Sequence, residues 1–254
     1  MYNKKIFQNP ELWRNYDPSE LLAKRVNLVL DFMPEDVRTI LDVGCGNGIL
    51  SNAFPERYQI TGIDYSLEAL RFVLGKKIQG SSDQMPVKNQ SFDMIFSSEL
   101  LEHLPTELLH RTIREFQRIA KRYIFITIPN NEILERNSIK CPKCDHIFHS
   151  YGHLHSFKDE DIIKMVGADF ELLLNKTLGP SVREYNKVLL HIRHNLGKRW
   201  FPATKYTVCP NCGNSVFTNL SGNLISKTCN ALNIVFSRQK PYWLFMLFRR
   251  KGLV

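Results

Sequence analysis

The sequence predicts an α/β fold with a mainly parallel sheet, and three observations support that prediction. Short apolar runs typical of buried strands alternate with segments that have one apolar helical face. The first such run, Thr39–Val43, leads into a turn with glycines at alternate positions, Gly44 to Gly48, before a helix. The second run, Gln59–Asp64, ends in an acid. The ends of parallel strands meet at one sheet edge, where α/β folds bind ligands.

Each element is predicted from its local pattern. An opening helix follows the start signal Pro18-Ser19-Glu20, with Leu21, Leu22, Val26, Val29 and Leu30 at helical spacing. The β-branched run 123–128 is apolar enough for a central strand. The predicted strands are 39–43, 58–63, 77–80, 94–96, 123–128 and 170–174; the predicted helices are 49–54, 68–74, 107–121 and 157–166. The run Tyr242–Phe248, followed by Arg249-Arg250-Lys251, is either a closing strand or an anchor at a membrane surface.

The glycine-rich turn differs from the dinucleotide fingerprint, because its third glycine comes one residue early. Asp42 stands two residues before the first glycine, and the chain continues with Gly62-Ile63-Asp64, Met85-Pro86 and a Ser-Phe-Asp-Met-Ile-Phe-Ser-Ser run over 91–98. In this combination the chain resembles the class I S-adenosylmethionine (SAM) methyltransferases, of methyltransferase type 11 and the ubiquinone-pathway kind. The resemblance covers roughly residues 20–175 and the last dozen. It implies a Rossmann-like seven-stranded sheet that ends in an antiparallel strand.

The resemblance also implies SAM as cofactor and a role for each matching residue. Asp42 would help to hold the ammonium group, and the glycines would line the amino-acid half. Asp64 would take the ribose hydroxyls, Tyr65 would lie against the adenine, and Ser98 would lie near the methionine portion. Ser81 and Ser82 would lie at the adenine edge, with Asp83 as a substitute. The implied cofactor-binding residues are Asp42, Gly44, Cys45, Gly46, Gly48, Asp64, Tyr65, Ser82, Asp83 and Ser98.

Two Cys-Pro-x-Cys pairs predict a metal site. A two-residue spacer brings both thiolates of a pair onto one ion, and two pairs supply the four ligands that Zn²⁺ prefers. A single pair could be a redox pair, but proline at the same place in both favours a structural zinc ribbon. Both pairs follow strands whose carboxyl ends share one edge, so zinc would staple an inserted lid there. The predicted ligands are Cys141, Cys144, Cys209 and Cys212. Asp145 stands where the second pair has Gly213.

A Glu-x-x-Glu-His cluster, Glu99, Glu102 and His103, follows the fourth strand. It resembles the metal-binding element of small-RNA 3′-terminal 2′-O-methyltransferases and of some quinone-pathway O-methyltransferases. That resemblance implies a second divalent ion, with His153 or His155 as a further ligand. The alternatives are that His103 is a general base without metal, or that it only lines the pocket. His146 and His149 would hydrogen-bond around the zinc, replace a Cys ligand or be ordinary loop residues.

Charge is unevenly distributed along the chain. From Arg183 to Val254 there are twelve Lys and Arg and one acid, which gives +11, while the remainder carries −2. A basic segment of this kind fits a polyanionic partner (nucleic acid, a phosphorylated or diphosphate-linked substrate, an anionic membrane surface) or a merely solvated face. No run is long enough to span a bilayer, and no secretion signal precedes the core. We therefore expect a cytoplasmic protein with, at most, peripheral membrane contact.

These patterns define the expected organisation and function. The predicted regions are an N-terminal helical cap (1–37), a SAM-binding core with the first Cys pair (38–178), a basic insertion with the second pair (179–240) and a final antiparallel strand (241–254). The expected activity is SAM-dependent O-methylation of a small anionic or glycan-type acceptor. The alternatives are an RNA methyltransferase, or a catalytically inactive nucleic-acid-binding adaptor that keeps the fold.

Overall fold

The structure is a computed structural model, and it describes Phe7, Trp13 and residues 20–204, 206–218 and 222–252, apart from the side chains of residues 20 and 21. The predicted helix start at Pro18 and Ser19, with most of the N-terminal cap before it, lies outside the described residues. The first described helix is α1 (Glu20–Leu30).

Nine strands form two sheets in the described residues. They are β1 (Thr39–Val43), β2 (Gln59–Asp64), β3 (Lys76–Gln79), β4 (Phe92–Ser98), β5 (Ala120–Pro129), β6 (Ser138–Lys140), β7 (Ile147–His149), β8 (Phe170–Glu184) and β9 (Arg238–Arg250). The main sheet has the order β3-β2-β1-β4-β5-β9-β8. β1 to β5 are parallel, and β9 is antiparallel to both β5 and β8. This confirms the predicted Rossmann-like, seven-stranded α/β fold.

The remaining helices are α2 (Leu67–Leu70), α3 (Thr106–Ile119), α4 (Asp159–Val166), α5 (Lys187–Asn195) and α6 (Leu224–Phe236). The helix predicted over 49–54 is wrong in length, because only a 3₁₀ turn, Ser51–Ala53, forms. Pro55 forces Phe54 into an extended conformation and ends that turn. The helix predicted over 68–74 ends at residue 70. The side chain of Asn52 bonds the backbone oxygen of Phe72 and the amide of Leu74, and so replaces helical bonds there.

The hydrophobic core lies on both faces of the sheet. On one face α3 and α4 bury Phe116 and Ile162 against the strands. On the other face α1 buries Val26 and Val29. With both faces covered, the central strands are apolar throughout, and polar groups concentrate at the strand ends.

The β8–β9 ribbon is longer than the sequence pattern predicts. The predicted strand 170–174 continues to Glu184, through a Gly179-Pro180 pair that is typical of a turn. A register shift between Leu178 and Ser181 absorbs this pair. Gly179 has φ +94°, and a Cβ there would lie 2.1 Å from the Trp243 ring, so only glycine fits against that indole. The run Tyr242–Phe248 lies inside β9, which supports the closing strand over the membrane anchor.

Two long segments leave the carboxyl edge of the sheet after β5 and β8 and form a lid. The first contains the β6–β7 hairpin, and the second contains α5 and α6, which pack together. A backbone hydrogen bond from Phe201 to Ser138 (2.9 Å) joins the two segments. No helix in the described ranges is long and apolar enough to cross a bilayer.

Candidate active site

A cavity of about 600 Å³ opens at the carboxyl edge of the sheet, under the lid. The glycine-rich turn after β1 and the end of β2 form one wall. The residues that follow β4 form the other. Tyr151 and His153 come from the first lid segment, and Thr204, Tyr206 and Thr207 come from the second. The cavity therefore lies where parallel α/β sheets bind ligands, and both lid segments contribute to it.

The glycine-rich turn has a backbone conformation and close neighbours that leave no room for side chains. Gly44 and Gly46 have φ +74° and +55°. A Cβ at Gly44 would lie 2.8 Å from Leu100, and one at Gly46 would lie 2.9 Å from Trp13. The amides of Gly44 and Cys45 bond the Ile63 oxygen at 2.8 and 3.2 Å, which ties the turn to β2. The cradle is thus open to a ligand because its residues have no side chains at these points.

Two carboxylates stand at the same wall. Asp42 is only 4% exposed. Burial raises its pKa to about 7, although a hydrogen bond from Ser51 acts in the opposite direction. Asp64 accepts the Gly46 amide (3.0 Å) and the Ser66 amide (2.8 Å), and burial raises its pKa despite these bonds. Each carboxylate oxygen keeps acceptor capacity for a further donor, such as a ribose hydroxyl or an ammonium group.

The structure separates the other predicted cofactor residues into two groups. Cys45, Tyr65, Ser82 and Ser98 line the cavity. The amide of Gly48 closes the turn by bonding the Cys45 oxygen at 2.9 Å, and Gly48 does not line the cavity. Asp83 also lies outside the lining, where it bonds Arg111 at 2.8 Å and Ser81. Ser81, for which Asp83 was the expected substitute, lines the cavity together with Ser82.

Arg25 on α1 lines the cavity and was not predicted. Its guanidinium donates to Ser98 Oγ at 2.6 Å, lies 3.2 Å from a Glu99 oxygen and stacks over the Trp243 ring at 4.7 Å. The sequence of α1 offers one indication of this role: Arg25 is a charged residue on the helix face that otherwise carries Leu22, Val26 and Val29. The predicted catalytic residue Glu99 is therefore engaged with Arg25.

His103 and His153 line the second wall, and Glu102 lies beside them, with one ligand atom from each of the three within 4.8 Å of the others. Glu102 is 1% exposed, and neither of its oxygens has a hydrogen-bond partner among the described residues. The same is true of His103 Nδ1. Burial and the neighbouring Glu99 raise the Glu102 pKa well above its usual range, and burial lowers the His103 pKa to about 3. Unpartnered buried oxygens beside two imidazole rings are a donor set that a divalent cation fits.

Of the two predicted further ligands, His153 joins this group. His155 stacks on Phe157 instead, with ring centroids 5.6 Å apart.

Sequence reasoning missed a second group, in which Glu132 lies between His149 and His153. Glu132 Oε1 is 3.3 Å from His149 Nε2, and Oε2 bonds His153 Nδ1. Burial raises the Glu132 pKa, but the bonds from both histidines outweigh it, and the pKa falls below its ordinary value. Glu132 comes three residues after β5, so its place at the shared strand edge was the available signal. His149 lies in this group and not at the cysteines, where one alternative expected it.

The four predicted cysteines converge from the two lid segments, with all four sulfurs within 4.8 Å of one another. Cys141 and Cys212 sulfurs are 3.6 Å apart, and those of Cys144 and Cys209 are 3.7 Å apart. Asn211 donates to Cys144 Sγ at 3.5 Å, and this bond, together with the His146 backbone amide and the neighbouring thiols, lowers the pKa of the Cys144 thiol to about 6. His146 stacks on Phe148 and is not among the grouped ligands.

The two Cys-Pro-x-Cys pairs have the same backbone conformation. The amides of Asp145 and Gly213 each bond the oxygen of the first cysteine of their pair at 3.0 Å. Both residues have positive φ, +57° and +72°. Asp145 thus adopts the left-handed turn that Gly213 adopts, and the two pairs are equivalent despite that sequence difference. Four thiols in this arrangement fit a tetrahedral Zn²⁺.

Comparisons with known proteins find similarity to methyltransferases in the region that contains the glycine-rich turn. Residues 41–125 match the sequence model of a methyltransferase domain. Malonyl-[acyl-carrier protein] O-methyltransferase 1 of Coxiella burnetii is 26% identical over 144 residues, which cover 54% of this chain and 50% of that protein. Ubiquinone biosynthesis O-methyltransferase of Idiomarina loihiensis is 37% identical over 82 residues, which cover 27% and 32%. The chain thus spans half or less of the length of these curated relatives.

Solved structures share the fold over nearly the whole chain. A SAM-dependent methyltransferase from Archaeoglobus fulgidus aligns with TM-score 0.54 and 15% identity, covering 98% of each chain. Magnesium protoporphyrin IX methyltransferase of Synechocystis, solved with bound S-adenosylhomocysteine (SAH), aligns with TM-score 0.50 and 13% identity, covering 91% of this chain and 81% of that one. At these identities the likeness concerns the fold alone.

Proposed function

We propose that this protein, whose residues 41–125 match a methyltransferase domain, is a SAM-dependent O-methyltransferase that acts on a hydroxyl of a glycan-type acceptor. One observation carries the proposal. A single cavity has the glycine cradle and Asp64 on one wall and His103 and His153 on the other, and the buried, unpartnered carboxyl group of Glu102 lies within 4.8 Å of both imidazoles. The first wall suits a sulfonium nucleoside, and the second suits the activation of a hydroxyl.

The cradle fits SAM by the chemistry of its residues. Asp64 keeps acceptor capacity for the two ribose hydroxyls, and Asp42 in its ionised form pairs with the ammonium group. Gly44 and Gly46 leave room where a side chain would collide. When bound, SAM supplies its methyl group as an electrophile on a sulfonium centre. The protein then has to orient the acceptor oxygen in line and remove its proton.

At the second wall we propose that Glu102, His103 and His153 hold a divalent cation. His103 is buried and its pKa is about 3, so it stays neutral and is a better ligand than base near neutral pH. A bound divalent ion would lower the pKa of a coordinated hydroxyl. Two neighbouring hydroxyls of one sugar can share an ion, so the group favours a vicinal diol.

The acceptor class follows from the charges on the cavity wall. Among the described residues that line it, Arg25 is the one Lys or Arg, and it is already paired with Glu99. The described lining residues thus offer a phosphate no cation that is not already paired, and on that ground we propose that a neutral polyhydroxyl end enters the cavity. The basic segment from Arg183 onward would meet any anionic remainder of the acceptor outside. A 3′-terminal RNA ribose also carries a vicinal diol, and RNA is the alternative acceptor.

We further propose that Cys141, Cys144, Cys209 and Cys212 bind one structural Zn²⁺. Four cysteine ligands leave no open position for water or acceptor, so this ion holds the two lid segments together and does no chemistry. The open Glu/His group is the reactive one.

The test has two parts. Calorimetric titration with SAH should give one site per chain, and a domain that kept only the fold would release no binding heat. Incubation with SAM labelled in its methyl group, with glycan precursors and RNA in parallel, should label the glycan pool in the presence of Mg²⁺ or Mn²⁺. Label in RNA alone would overturn the acceptor class while leaving the methyltransferase activity standing.

A further inference from the structure

We propose that Glu132 and His149 are positioning residues that fix the proton of His153 on Nδ1, so that His153 Nε2 keeps its lone pair for the cavity. This inference rests on the proposed function of the Glu102–His103–His153 group. Glu132 stands three residues after β5, where the first lid segment begins, and both histidines lie farther along that segment. One carboxylate thereby links the start of the segment to the loop that carries the histidines.

The proton of His149 can be placed from its partners. His149 Nδ1 faces two backbone N–H groups, those of His153 (3.2 Å) and Tyr151 (3.4 Å). Because amides only donate, Nδ1 must accept and carries no proton. The neutral ring therefore has its proton on Nε2, which lies 3.3 Å from Glu132 Oε1.

The proton of His153 follows from the other oxygen of the same carboxylate. Glu132 is 8% exposed, and Asn137 Nδ2 donates to its Oε1 at 2.8 Å. A buried carboxylate that accepts from the Asn137 amide, contacts the His153 ring and has the His149 ring 3.3 Å away is surrounded by donors, so it is ionised and has no proton to give. Since Oε2 contacts His153 Nδ1, that nitrogen must carry the proton. The two rings, stacked with centroids 4.4 Å apart and planes at 21°, are thus held in opposite tautomers.

This arrangement leaves one imidazole nitrogen for chemistry. With Nδ1 engaged, Nε2 is the nitrogen of His153 that can serve the group it shares with Glu102 and His103. The His103 ring stands edge-on to it, with centroids 4.7 Å apart. A carboxylate behind a ligand histidine fixes its ring orientation and raises its basicity. Without Glu132 the ring would be free to rotate and to exchange tautomers.

A second metal ion bound by Glu132, His149 and His153 is the competing explanation, because their ligand atoms also lie within 4.8 Å. The hydrogen bonds favour the positioning role. The oxygens of Glu132 are already satisfied by Asn137 and His153, whereas both oxygens of Glu102 are unpartnered. A metal among the first three would have to displace bonds that are already made.

The test is the tautomeric state of the two histidines, read from long-range ¹H–¹⁵N correlations of histidine-labelled protein prepared without added divalent ions. We expect the Nδ1–H form for His153 and the Nε2–H form for His149. In Glu132→Ala, His153 should lose its fixed tautomer. Glu132→Gln provides a second variant if the first does not fold, since its amide keeps the shape but cannot accept from both rings. Glu135→Gln, an exposed change on the same loop, should leave both signals unchanged.

Titration with Mn²⁺, followed by electron paramagnetic resonance, supplies an independent readout. We expect one site in the wild type and about 10- to 100-fold weaker binding in Glu132→Ala, as for other carboxylates behind ligand histidines. An Nε2–H signal for His153 in the wild type would overturn the proposal, and so would two Mn²⁺ ions per chain of which Glu132→Ala loses one. If no Mn²⁺ binds but both tautomers are as expected, the proposed cation fails and the positioning role stands.

Discussion

The two walls of the cavity are built in different ways. One wall, which we propose binds SAM and call the cofactor wall, comes from β1, β2 and the turn between them. Its polar groups lie within 25 residues of one another in sequence. The other wall, which we propose meets the acceptor and call the acceptor wall, combines the loop after β4 with both lid segments, and Glu132 stands behind it against His153. Its residues are joined only by the fold. The difference teaches that the proposed cofactor site is a local backbone device, whereas the proposed reactive groups are brought together only where strand ends meet.

The largest effect that would sharpen this contrast is loss of the lid metal. We expect the double variant Cys141→Ser/Cys209→Ser to fall from one zinc per chain to none by elemental analysis, because two of the four thiolates are gone. Affinity for SAH should stay within about threefold of the wild type, because the turn between β1 and β2 does not depend on the lid. Cys229→Ser is the matched control, a buried cysteine outside the cluster, and it should retain zinc. A zinc-free wild type would contradict the assignment.

The next effect belongs to the cofactor wall. Asp64→Ala should weaken SAH binding by about 100-fold, since it removes charge-assisted hydrogen bonds to two hydroxyls and leaves the Gly46 and Ser66 amides without their acceptor. Calorimetry measures this directly. Asp83→Asn serves as the control and should change the Kd less than twofold, because Asp83 lies outside the cavity lining. Equal losses in both variants would mean that the adenine edge is misassigned.

On the acceptor wall, Glu102→Gln should weaken Mn²⁺ binding by about 10-fold or more while SAH affinity stays within about threefold. The buried carboxylate is a ligand in our account, and an amide is a poor substitute for it. Parallel Mn²⁺ and SAH titrations measure both walls in one sample. Unchanged Mn²⁺ binding would show that the cation does not bind at Glu102, and it would favour a metal-free role for the Glu/His group.

The smallest effect concerns pH. The folded pKa of Asp42 is raised to about 7, so the carboxyl group is mostly protonated at pH 6 and mostly ionised at pH 8. Because the ionised form pairs with the ammonium group, SAH affinity should rise by about 10-fold over that range. In Asp42→Asn the rise should disappear, with affinity close to the low-pH wild-type value. A pH-independent wild type would show that Asp42 does not meet the ammonium group.

The same contrast decides what the sequence could predict. β1, the glycine-rich turn and Asp64 follow from patterns a few residues long, and the structure places them as expected. The contacts of Arg25, Glu132 and His149 could not be predicted in this way, because nothing near these residues in sequence indicates their partners.

Two departures in the fold have identifiable physical causes. The Gly179-Pro180 pair predicts a turn, but a register shift and close packing on Trp243 keep β8 extended. The helix after the glycine-rich turn shortens because Pro55 stops it. Such cases depend on long-range packing or on a single helix-breaking residue, and hydrophobic patterns in the sequence predict these effects poorly.

The most direct test of the account is a crystal structure of the protein with SAH and Mn²⁺, with anomalous data collected at the zinc and manganese edges. We expect SAH in the cradle with its ribose on Asp64, zinc among the four cysteines, and manganese on Glu102, His103 and His153. A cradle filled by protein side chains, with Asp64 turned away from any ligand, would contradict the central claim that this cavity binds a sulfonium nucleoside.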